Sequence, residues 1–500
     1  MLSWNVSDHL HRSTSSDVDE PYCSPEHRPT ASGLAVAPGE TFDIILCDKD
    51  ELLGFEAGQR PHAVSTLETT RRFASTKVYG CSSQFPFKLS AGPSSARQVR
   101  GEFIYDQRYT MQMILSSLLA AAGLASAARP WLEFPDTGAV EQFGTLEEGG
   151  ALPNVSDVVG LPDFDYLAGE YMSLMNYTYY RNGAAGEWSY RNNLEIFQRM
   201  RFRPRVMTMV DNIEDSLPTT ILGYNFSAPF FISPCARAGY AGPWGETGIM
   251  RGAGRENVLY QVSDFSSSTK QEIADARAEG QVAFLQLYID PSNDTSIIEQ
   301  IREAEELDFK AIILTVDSAA DGNRHRAVRF GVGSADSSYS SITWEKYEWM
   351  RNQTDLPIVP KGVQTVEDAL LAVEHNVPAL FLSNHGGRQV DGSPSAFEVA
   401  LEIYQEAPQI FNQTEVFADG GVRYGADVVK LLALGVKAVG IGRPFMFANI
   451  YPNGTGVERA IQIMKREVAI DAANVGIADL KNISPNVLDW KRFPTWAQGS

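Results

Sequence analysis

Short apolar runs alternate with amphipathic stretches through the second half of the chain. The runs, rich in Val, Ile, Leu or Phe, cover residues 229–233, 258–263, 282–288, 311–317, 357–363, 379–384, Glu415–Asp419 and 438–442. Each has the length of a buried strand and is followed by glycine or polar residues. Between the runs, apolar positions recur at helical spacing, as in residues 296–306 and 424–434. Eight successive β-then-α units predict the α/β fold class, with a (β/α)8 TIM barrel over residues 229–490.

The regions before the barrel have different patterns. Between residues 163 and 195 the apolar spacing is helical, which predicts an N-terminal helical lead-in within residues 129–228. A doubly wound sheet is the structural alternative, but no Gly-x-Gly-x-x-Gly motif follows a predicted strand. Residues 1–110 are rich in Ser, Pro, Arg and Gly without sustained periodicity, so we expect a low-order extension without a catalytic role.

Residues 111–128 form an apolar run that ends in a small-x-small pattern, Ala125-Ser126-Ala127. The run is short for a membrane span and is typical of a signal-peptide core with its cleavage site. Because signal peptides begin chains, this position predicts a natural start at Met111 or Met113. A buried Ala/Leu helix is the alternative interpretation.

Glycosylation sequons are frequent after this segment. Asn-x-Ser/Thr occurs at Asn154, Asn176, Asn225, Asn293, Asn352, Asn412, Asn453 and Asn482. This excess over chance predicts a secreted glycoprotein, with an intracellular protein as the alternative. Cys235 is the only cysteine after residue 128, so the mature chain would have no internal disulfide.

The charge balance excludes several classes of partner. The chain of 500 residues has a formal net charge of −20 and a pI of about 4.8. Such a chain repels nucleic acid and anionic membranes, and it must attract an anionic substrate with locally placed arginines. The four cysteines have no metal-ligand spacing, so we expect neither a metal site nor a disulfide framework.

Candidate chemistry is concentrated in residues 383–389, Ser-Asn-His-Gly-Gly-Arg-Gln, at the end of a predicted strand. His385 can move a proton near neutral pH, and Arg388 carries a permanent charge on a fork that fits a carboxylate. Gly386 and Gly387 allow a sharp turn. Taken alone, these residues could form an ordinary polar loop.

Other predicted strands also end in polar or small residues, and in a (β/α)8 barrel all such ends open at one mouth. These residues are Pro234, Cys235, Ala236, Gln286, Tyr288, Thr315, Asp317, Lys361, Asp419, Gly420, Gly421, Val422, Arg423, Gly442 and Arg443. The glycines and arginines after the seventh and eighth strands occupy the usual phosphate-binding position of such barrels. The convergence favours one active site over incidental polar loops.

Residues 383–389 closely resemble the active-site signature of the FMN-dependent 2-hydroxy acid oxidases and dehydrogenases, which include glycolate oxidase, lactate oxidase and the flavin domain of flavocytochrome b2. Residues 177–188 are similar to the family's Tyr-x-Tyr-Tyr-x-x-Gly-Ala segment. The resemblance covers roughly residues 160–490. Nothing in residues 1–110 resembles the haem-binding module of flavocytochrome b2, so we expect a secreted member without that domain.

The resemblance implies FMN as the cofactor. Arg423 and Arg443, with the backbone of residues 420–422 and Gly442, would hold its phosphate, and Asp419 its ribityl hydroxyls. Gln286, Thr315 and Ser383 would bond the isoalloxazine edge, Lys361 would lie by N1 and O2, and the backbone of Pro234, Cys235 and Ala236 near N5.

The resemblance also implies the substrate contacts. Arg388 and Tyr179 would hold the carboxylate of a 2-hydroxy acid, and Arg324 matches a second active-site arginine. Tyr288 would bond the hydroxyl, and His385, fixed by Asp317, would take its proton. Whether the carbon-bound hydrogen leaves as hydride or through a carbanion stays open.

The expected activity is oxidation of an L-2-hydroxy acid, with O2 as acceptor giving H2O2. A dehydrogenase with a cytochrome or quinone acceptor, and an inactive secreted glycoprotein, are the alternatives. Homotetramers are common in this family.

Two departures from the family pattern bear on the site. Asp264 stands where the family has serine at the end of the second barrel strand, and an acid near the flavin would oppose its reduction. Only eleven residues separate Phe330 from Ile342, which replaces a long family insertion and predicts a more open mouth that accepts bulkier acids.

Overall fold

The computed structural model describes residues 137–333 and 341–490. The predictions for residues 1–110 and for the signal-like segment 111–128 therefore lie outside the described residues. Within the described ranges, no helix is both long and apolar enough to cross a membrane.

A closed barrel of parallel strands forms the centre of the fold. After a short hairpin, β1 (Thr219–Ile221) and β2 (Tyr224–Phe226), the barrel strands are β3 (Phe230–Ile232), β4 (Tyr260–Val262), β5 (Ala283–Leu287), β6 (Ile312–Thr315), β7 (Ile358–Val363), β8 (Ala379–Leu382), β9 (Glu415–Asp419) and β10 (Ala438–Ile441). Each barrel strand pairs with the next in sequence, and β10 closes the ring on β3. The predicted (β/α)8 barrel is confirmed.

Helices precede and surround the barrel. The lead-in contains α1 (Ala139–Phe143), α2 (Leu161–Tyr171), α3 (Leu174–Tyr180) and α4 (Trp188–Arg199). The helices that follow are α5 (Gly245–Arg255), α6 (Lys270–Asp275), α7 (Asp294–Glu306), α8 (His325–Arg329), α9 (Trp344–Arg351), α10 (Val366–Glu374), α11 (Ala396–Glu406), α12 (Ile410–Gln413), α13 (Gly425–Leu434), α14 (Arg443–Ala448) and α15 (Thr455–Val475). The expected helical lead-in is present, and its α4 packs on α11 through the rings of Phe197 and Phe397.

Successive side chains of each barrel strand face opposite sides, so the strands contribute to two separate hydrophobic cores. Outward residues such as Ile232, Leu285 and Leu314 pack beneath the helices. Inward residues form a second cluster, in which the rings of Phe231, Phe381 and Phe417 meet edge to face.

The hairpin β1–β2 contributes Ile221 and Phe226 to this inner cluster, at the end of the barrel opposite the predicted active site. The sequence pattern did not predict this hairpin.

One pleat above the phenylalanines, the inward positions become polar. Two residues beyond Phe231, Phe284, Ile313, Val359, Phe381 and Phe417 come Ser233, Gln286, Thr315, Lys361, Ser383 and Asp419. The barrel therefore has an apolar floor and a polar layer at the carboxyl ends of its strands, where chemistry is expected in this fold.

Candidate active site

A cavity opens at the carboxyl ends of the barrel strands. Of the predicted site residues, all but Asp317 and Ser383 line it. Those two are buried immediately behind the lining and hydrogen-bond to His385 and Lys361. The sequence analysis missed several lining residues, namely Tyr180, Ser233, Ser263, Phe265, Ser318, Gly440 and Ile441.

His385 connects a buried acid to a tyrosine hydroxyl. Its Nδ1 lies 2.9 Å from Oδ1 of Asp317, whose side chain is fully buried. Its Nε2 lies 3.3 Å from the hydroxyl oxygen of Tyr288. If the carboxylate is ionised, Nδ1 carries the proton of the neutral ring, and the lone pair of Nε2 faces the cavity.

The electrostatics of this pair favour a neutral imidazole and an ionised carboxylate. Burial lowers the pKa of His385, and Asp317 offsets only part of that effect, because Lys361 and Arg388 also lower it. Burial would raise the pKa of Asp317, but the hydrogen bond with His385, the charge of Lys361 and the charge of His385 once it is protonated outweigh burial and lower it. His385 is thus held in the form that can accept a proton at neutral pH.

The turn that carries His385 is strained. His385, Gly386 and Gly387 have φ values of 58°, 64° and 75°, three consecutive residues in the left-handed region. For a non-glycine residue this conformation costs about 1–2 kcal/mol. At Gly387 a side chain would also collide with the backbone of Tyr190. The surrounding structure must therefore hold the turn in place.

A reciprocal pair of side-chain amide hydrogen bonds holds the His385 turn in place. Asn193 of α4 donates to Oδ1 of Asn384 at 2.8 Å, and Asn384 donates back to Oδ1 of Asn193 at 2.9 Å. The same Oδ1 of Asn384 accepts the N–H of Gly387 at 3.0 Å. The carbonyl of Asn193 lies so close to Gly421 that any side chain there would overlap it. One lead-in residue thus touches both the His385 turn and the predicted phosphate loop.

A polar network lies beneath the middle of the cavity. Lys361 donates to the hydroxyl of Ser383 at 3.0 Å, and Ser383 donates to Asp419 at 2.7 Å. Asp419 also accepts a hydrogen bond from Ser233 at 3.0 Å. These bonds fix the Lys361 ammonium group beside the cavity. Because the Asp419 carboxylate already accepts two hydroxyls, a ribityl hydroxyl would have to share its oxygens.

The wall formed by β4, β5 and β6 carries neutral hydrogen-bonding groups. Gln286 donates to Thr315 at 3.0 Å and accepts from Ser263 at 3.2 Å. These residues offer both donors and acceptors to a flat polar ring. Cys235 also lines the cavity as a free thiol, and burial raises its pKa.

At the predicted phosphate end, Arg423 and Arg443 bring positive charge together. Burial, together with the charges of Arg388 and Arg423, lowers the pKa of Arg443 to about 10. Its Nε and Nη2 donate to three backbone carbonyls, those of Tyr180, Asn182 and Gly386. Within the described ranges Arg443 makes no ion pair, and its Nη1 group still has donors to offer.

This arrangement fits the phosphate of FMN. Gly420 and Gly421 have φ values of 101° and 84°, and both line the cavity beside Arg423 and Arg443. A bound dianion would relieve the repulsion between buried guanidinium groups. The neutral donors and acceptors of β5 and β6, with Lys361, fit the polar edge of an isoalloxazine ring.

A second pair of arginines in the cavity, Arg388 and Arg324, can bind a carboxylate. The guanidinium carbon of Arg388 lies 5.5 Å from the centre of the Tyr179 ring, and Nε of Arg388 has no hydrogen-bond partner among the described residues. Arg324 donates to the backbone carbonyl of Arg388 at 3.1 Å and to Gln389 at 2.5 Å. Burial and the charge of Arg388 lower the pKa of Arg324 to about 10.

The expectation that Asp264 lies near the flavin is wrong. Asp264 is not part of the cavity lining, and its carboxylate pairs with Lys270 at 3.0 Å and accepts the N–H of Tyr288 at 3.2 Å. The neighbouring Ser263 faces the cavity. Ser263, not Asp264, therefore occupies the expected position, because a shift of one residue on a strand exchanges its two faces.

Some of the site residues that the sequence analysis did not name could have been predicted from the sequence, and others could not. Ser233 and Gly440 could have been found by continuing the inward alternation of their strands. Asn193 carries no sequence signal, because an asparagine pair in an amphipathic helix is typical of a solvated face.

Residues 334–340 lie outside the described ranges, so the expected open mouth stays a prediction. No cluster of three metal-ligating side chains occurs in residues 137–333 and 341–490.

Comparisons with known proteins agree with this geometry. The model of the FMN-dependent dehydrogenase family matches residues 168–338 and 333–490. The chain is 35% identical over 373 residues to L-lactate dehydrogenase (cytochrome) of Wickerhamomyces anomalus, covering 70% of this chain and 64% of that protein. It is 35% identical over 366 residues to glycolate oxidase of Spinacia oleracea, covering 67% of this chain and 97% of that protein.

Solved structures give the same grouping. The recombinant flavin-binding domain of baker's yeast flavocytochrome b2 superposes with a TM-score of 0.65 at 33% identity, covering 70% of this chain and 90% of that one. A mandelate oxidase superposes with a TM-score of 0.61 at 30% identity, covering 66% of this chain and 98% of that one. The chain spans slightly less than two thirds of the cytochrome-linked lactate dehydrogenase and nearly all of glycolate oxidase.

Proposed function

The chain belongs to the FMN-dependent dehydrogenase family, and on that premise we propose that it oxidises a small L-2-hydroxy acid to the 2-oxo acid, with O2 as the acceptor that yields H2O2. The observation that carries the proposal is His385, bonded to buried Asp317 on one side and to Tyr288 on the other. Arg388, three residues on, offers an anion contact in the same cavity.

FMN would be held at both of its ends. Arg423, Arg443 and the backbone of residues 420–422 would bind the phosphate, while Gln286, Thr315 and Lys361 would bind the ring edge. When bound, FMN supplies the acceptor for the two electrons that leave the substrate. The ammonium group of Lys361, held by Ser383, favours negative charge at the ring edge beside it.

The substrate carboxylate would lie between Arg388 and Tyr179. A guanidinium fork can make two parallel hydrogen bonds to a carboxylate, which fixes both its position and its plane. Tyr288 has its pKa raised by burial and by the nearby Asp317, so its hydroxyl stays protonated and can donate to the substrate oxygen.

The proton of the 2-hydroxyl would pass to Nε2 of His385. The resulting imidazolium would be stabilised by Asp317, whose lowered pKa keeps it ionised. Asp317 thus orients the base before the reaction and balances its charge afterwards. A buried acid at 2.9 Å from the opposite ring nitrogen is the arrangement that this role requires.

A second candidate differs only in the electron acceptor. The name of the Wickerhamomyces anomalus relative, L-lactate dehydrogenase (cytochrome), favours a cytochrome acceptor, whereas the name of the spinach relative, glycolate oxidase, favours oxygen. Both candidates share the same reductive half-reaction.

One experiment tests the proposal and separates the two acceptors. The purified protein should be yellow and hold one FMN, and the flavin should bleach under nitrogen when a suitable 2-hydroxy acid is added. Admission of O2 should then restore the colour with release of H2O2. A colourless protein that does not take up FMN, or a flavin that no hydroxy acid bleaches, would refute the proposal. Bleached flavin that cytochrome c reoxidises faster than O2 would favour the second candidate.

We further propose that the protein is exported and glycosylated. Seven of the eight sequon asparagines are exposed, and Asn176 alone is half-buried, donating to the carbonyl of Tyr240 at 3.1 Å. We expect natural protein to begin near Ala128 or Arg129 and to lose mass on treatment with an N-glycosidase, with Asn176 the least occupied site. An N-terminal sequence beginning at Met1, or an unchanged mass, would contradict this.

A further inference from the structure

Arg237 follows directly on Ala236, which lines the cavity, and itself lies just outside that lining. Its backbone N–H donates to Phe265 at 3.1 Å, and its carbonyl accepts the hydroxyl of Tyr180 at 2.6 Å. Phe265 and Tyr180 also line the cavity. The backbone of Arg237 is thus pinned on both sides to the rim of the site.

The conformation of Arg237 is unusual for an arginine. Its φ is 56°, in the left-handed region that disfavours non-glycine residues by about 1–2 kcal/mol. Strain of this kind is found more often at functional sites than elsewhere. The conformation directs the guanidinium group to two tyrosines, 5.4 Å from the ring centre of Tyr179 and 5.7 Å from that of Tyr240.

The charge of Arg237 is not balanced by an acid within the described ranges. Arg181 and Arg326, two other arginines near the mouth, both pair with Glu187. The buried carboxylate of Glu246, beneath the Arg237 loop, is occupied by the N–H groups of Ala238, Ser267 and Ser268.

Two guanidinium groups therefore lie close to one tyrosine of the substrate site. The carbons of Arg388 and Arg237 lie 5.5 Å and 5.4 Å from the centre of the Tyr179 ring, so they can be no more than about 11 Å apart. A four- or five-carbon diacid with one guanidinium contact at each end covers a span of this order. Arg388 would take the carboxylate beside the reacting carbon.

We propose that Arg237 binds a second anionic group on the substrate side chain, so that the substrates are 2-hydroxy dicarboxylic acids. This rests on the proposed function, because it assigns Arg388 to the first carboxylate. In the alternative, Arg237 only packs against Tyr179 and Tyr240. It donates a hydrogen bond to the hydroxyl of Tyr240 at 3.1 Å. The two views differ in how the protein treats acids that are equal in length but not in charge.

The test uses the full-length, FMN-loaded protein and two matched pairs of L-2-hydroxy acids. The four-carbon pair is 2-hydroxybutanedioate and 2-hydroxybutanoate, and the five-carbon pair is 2-hydroxypentanedioate and 2-hydroxypentanoate. Wild-type protein should reduce its flavin under nitrogen with a higher kcat/KM for the diacid of at least one pair. Arg237→Gln should lower that diacid value by about 10- to 100-fold, the range for a hydrogen bond between charged groups, and lower the monoacid value far less.

Two further variants and a binding measurement complete the test. Arg237→Lys keeps the charge and should keep part of the preference, while Arg326→Gln removes a paired arginine near the mouth and should leave the diacid-to-monoacid ratio unchanged. Titration of the flavin absorbance with the matching 2-oxo acids should show the same loss of diacid affinity in Arg237→Gln without catalysis.

The outcomes separate this proposal from the proposed function. If monoacids reduce the flavin and neither diacid exceeds its partner, or if Arg237→Gln lowers diacid and monoacid alike, the second-anion site is refuted and the oxidation of 2-hydroxy acids stands. If no hydroxy acid of any kind reduces the flavin, the proposed function fails and this proposal fails with it.

Discussion

At the scale of single residues, the chemistry depends on how the neighbours of His385 set its protonation. Burial and two nearby cations favour the neutral ring, while Asp317 opposes them through its charge and hydrogen bond. A base must be deprotonated before the reaction and must tolerate a proton after it. The buried carboxylate of Asp317 stabilises the protonated ring after the reaction, and it leaves the ring neutral before the reaction.

The pH dependence of kcat/KM should show these opposing effects. Because the pKa of His385 is lowered, activity should rise through a limb below pH 6.5 and level off near neutrality. Asp317 raises that pKa, so Asp317→Asn should move the limb to still lower pH. The same variant should slow flavin reduction, because the imidazolium loses its counter-charge. A limb above pH 7, or a limb that moves upward in Asp317→Asn, would contradict this assignment.

At the scale of elements, the lead-in helices complete a site that the barrel alone leaves unsupported. Helix α3 supplies Tyr179, and α4 supplies Asn193, which bonds the strained turn after β8 and touches the loop after β9. Strained turns persist only when several contacts fix them. The barrel strands thus place the proposed catalytic residues, and the lead-in contacts the turn and the loop that carry them.

Asn193→Ala should therefore impair catalysis more than folding. Loss of the amide pair should let the His385 turn relax, and displacements of about 1 Å can cost about 100-fold in rate. We expect kcat for flavin reduction to fall by roughly 10- to 100-fold, with a smaller change in KM.

Asn192→Ala is the matched control, because Asn192 lies on the same helix and bonds Glu398 at 2.8 Å, away from the turn. Urea unfolding and FMN titration should be measured for both variants. An equal loss of stability with no difference in kcat would show that Asn193 is only a packing residue.

The sequence predicts these elements unequally. Periodicity predicted all eight barrel strands, because buried parallel strands form short apolar runs, and the polar residues after them indicated the cavity. The hairpin β1–β2 was not foreseen, because its two strands, Thr-Thr-Ile and Tyr-Asn-Phe, are short and partly polar and so form no apolar run. The Asn193–Asn384 pair joins residues 191 positions apart, and no pattern in a single sequence reports such a contact.

The Asp264 error has a different cause. The end of a strand cannot be located from sequence to better than about one residue. An error of one residue put Asp264 on the face of the strand that meets the flavin, whereas the structure pairs Asp264 with Lys270.

At the scale of the whole molecule, acidic groups buried between helices tie stability to pH. Burial raises the pKa of Glu467 on α15 to about 7, and the charges of Asp471, Asp427 and Asp163 contribute. Its carboxylate accepts the N–H of Gly425 at the start of α13 at 2.8 Å. The folded protein holds this proton more tightly than the unfolded chain, so its stability should fall as pH rises from about 4.5 to about 7.

Glu467→Gln should remove that dependence. A glutamine can still accept the N–H of Gly425 and cannot ionise, so the variant should be more stable than wild type at pH 8 by on the order of 1–3 kcal/mol. The difference should vanish near pH 4.5. Glu458→Gln is the control, because Glu458 lies on the same helix and pairs with Arg255 at the surface. The free energy of unfolding of both variants and of wild type can be measured with denaturant at several pH values. Equal stabilities of Glu467→Gln and wild type at pH 8 would contradict the raised pKa of Glu467.

The most direct test of the central claim, that His385 is the base that removes the hydroxyl proton, is anaerobic stopped-flow reduction of the flavin in His385→Gln. The variant should fold and bind FMN as wild type does, because the phosphate-end arginines and the Asn193 contact are unchanged. Its flavin should be reduced by a good 2-hydroxy acid about 10²- to 10⁴-fold more slowly, mainly through kcat. If the folded, FMN-loaded variant is reduced at the wild-type rate, His385 is not the base and the proposed mechanism is wrong.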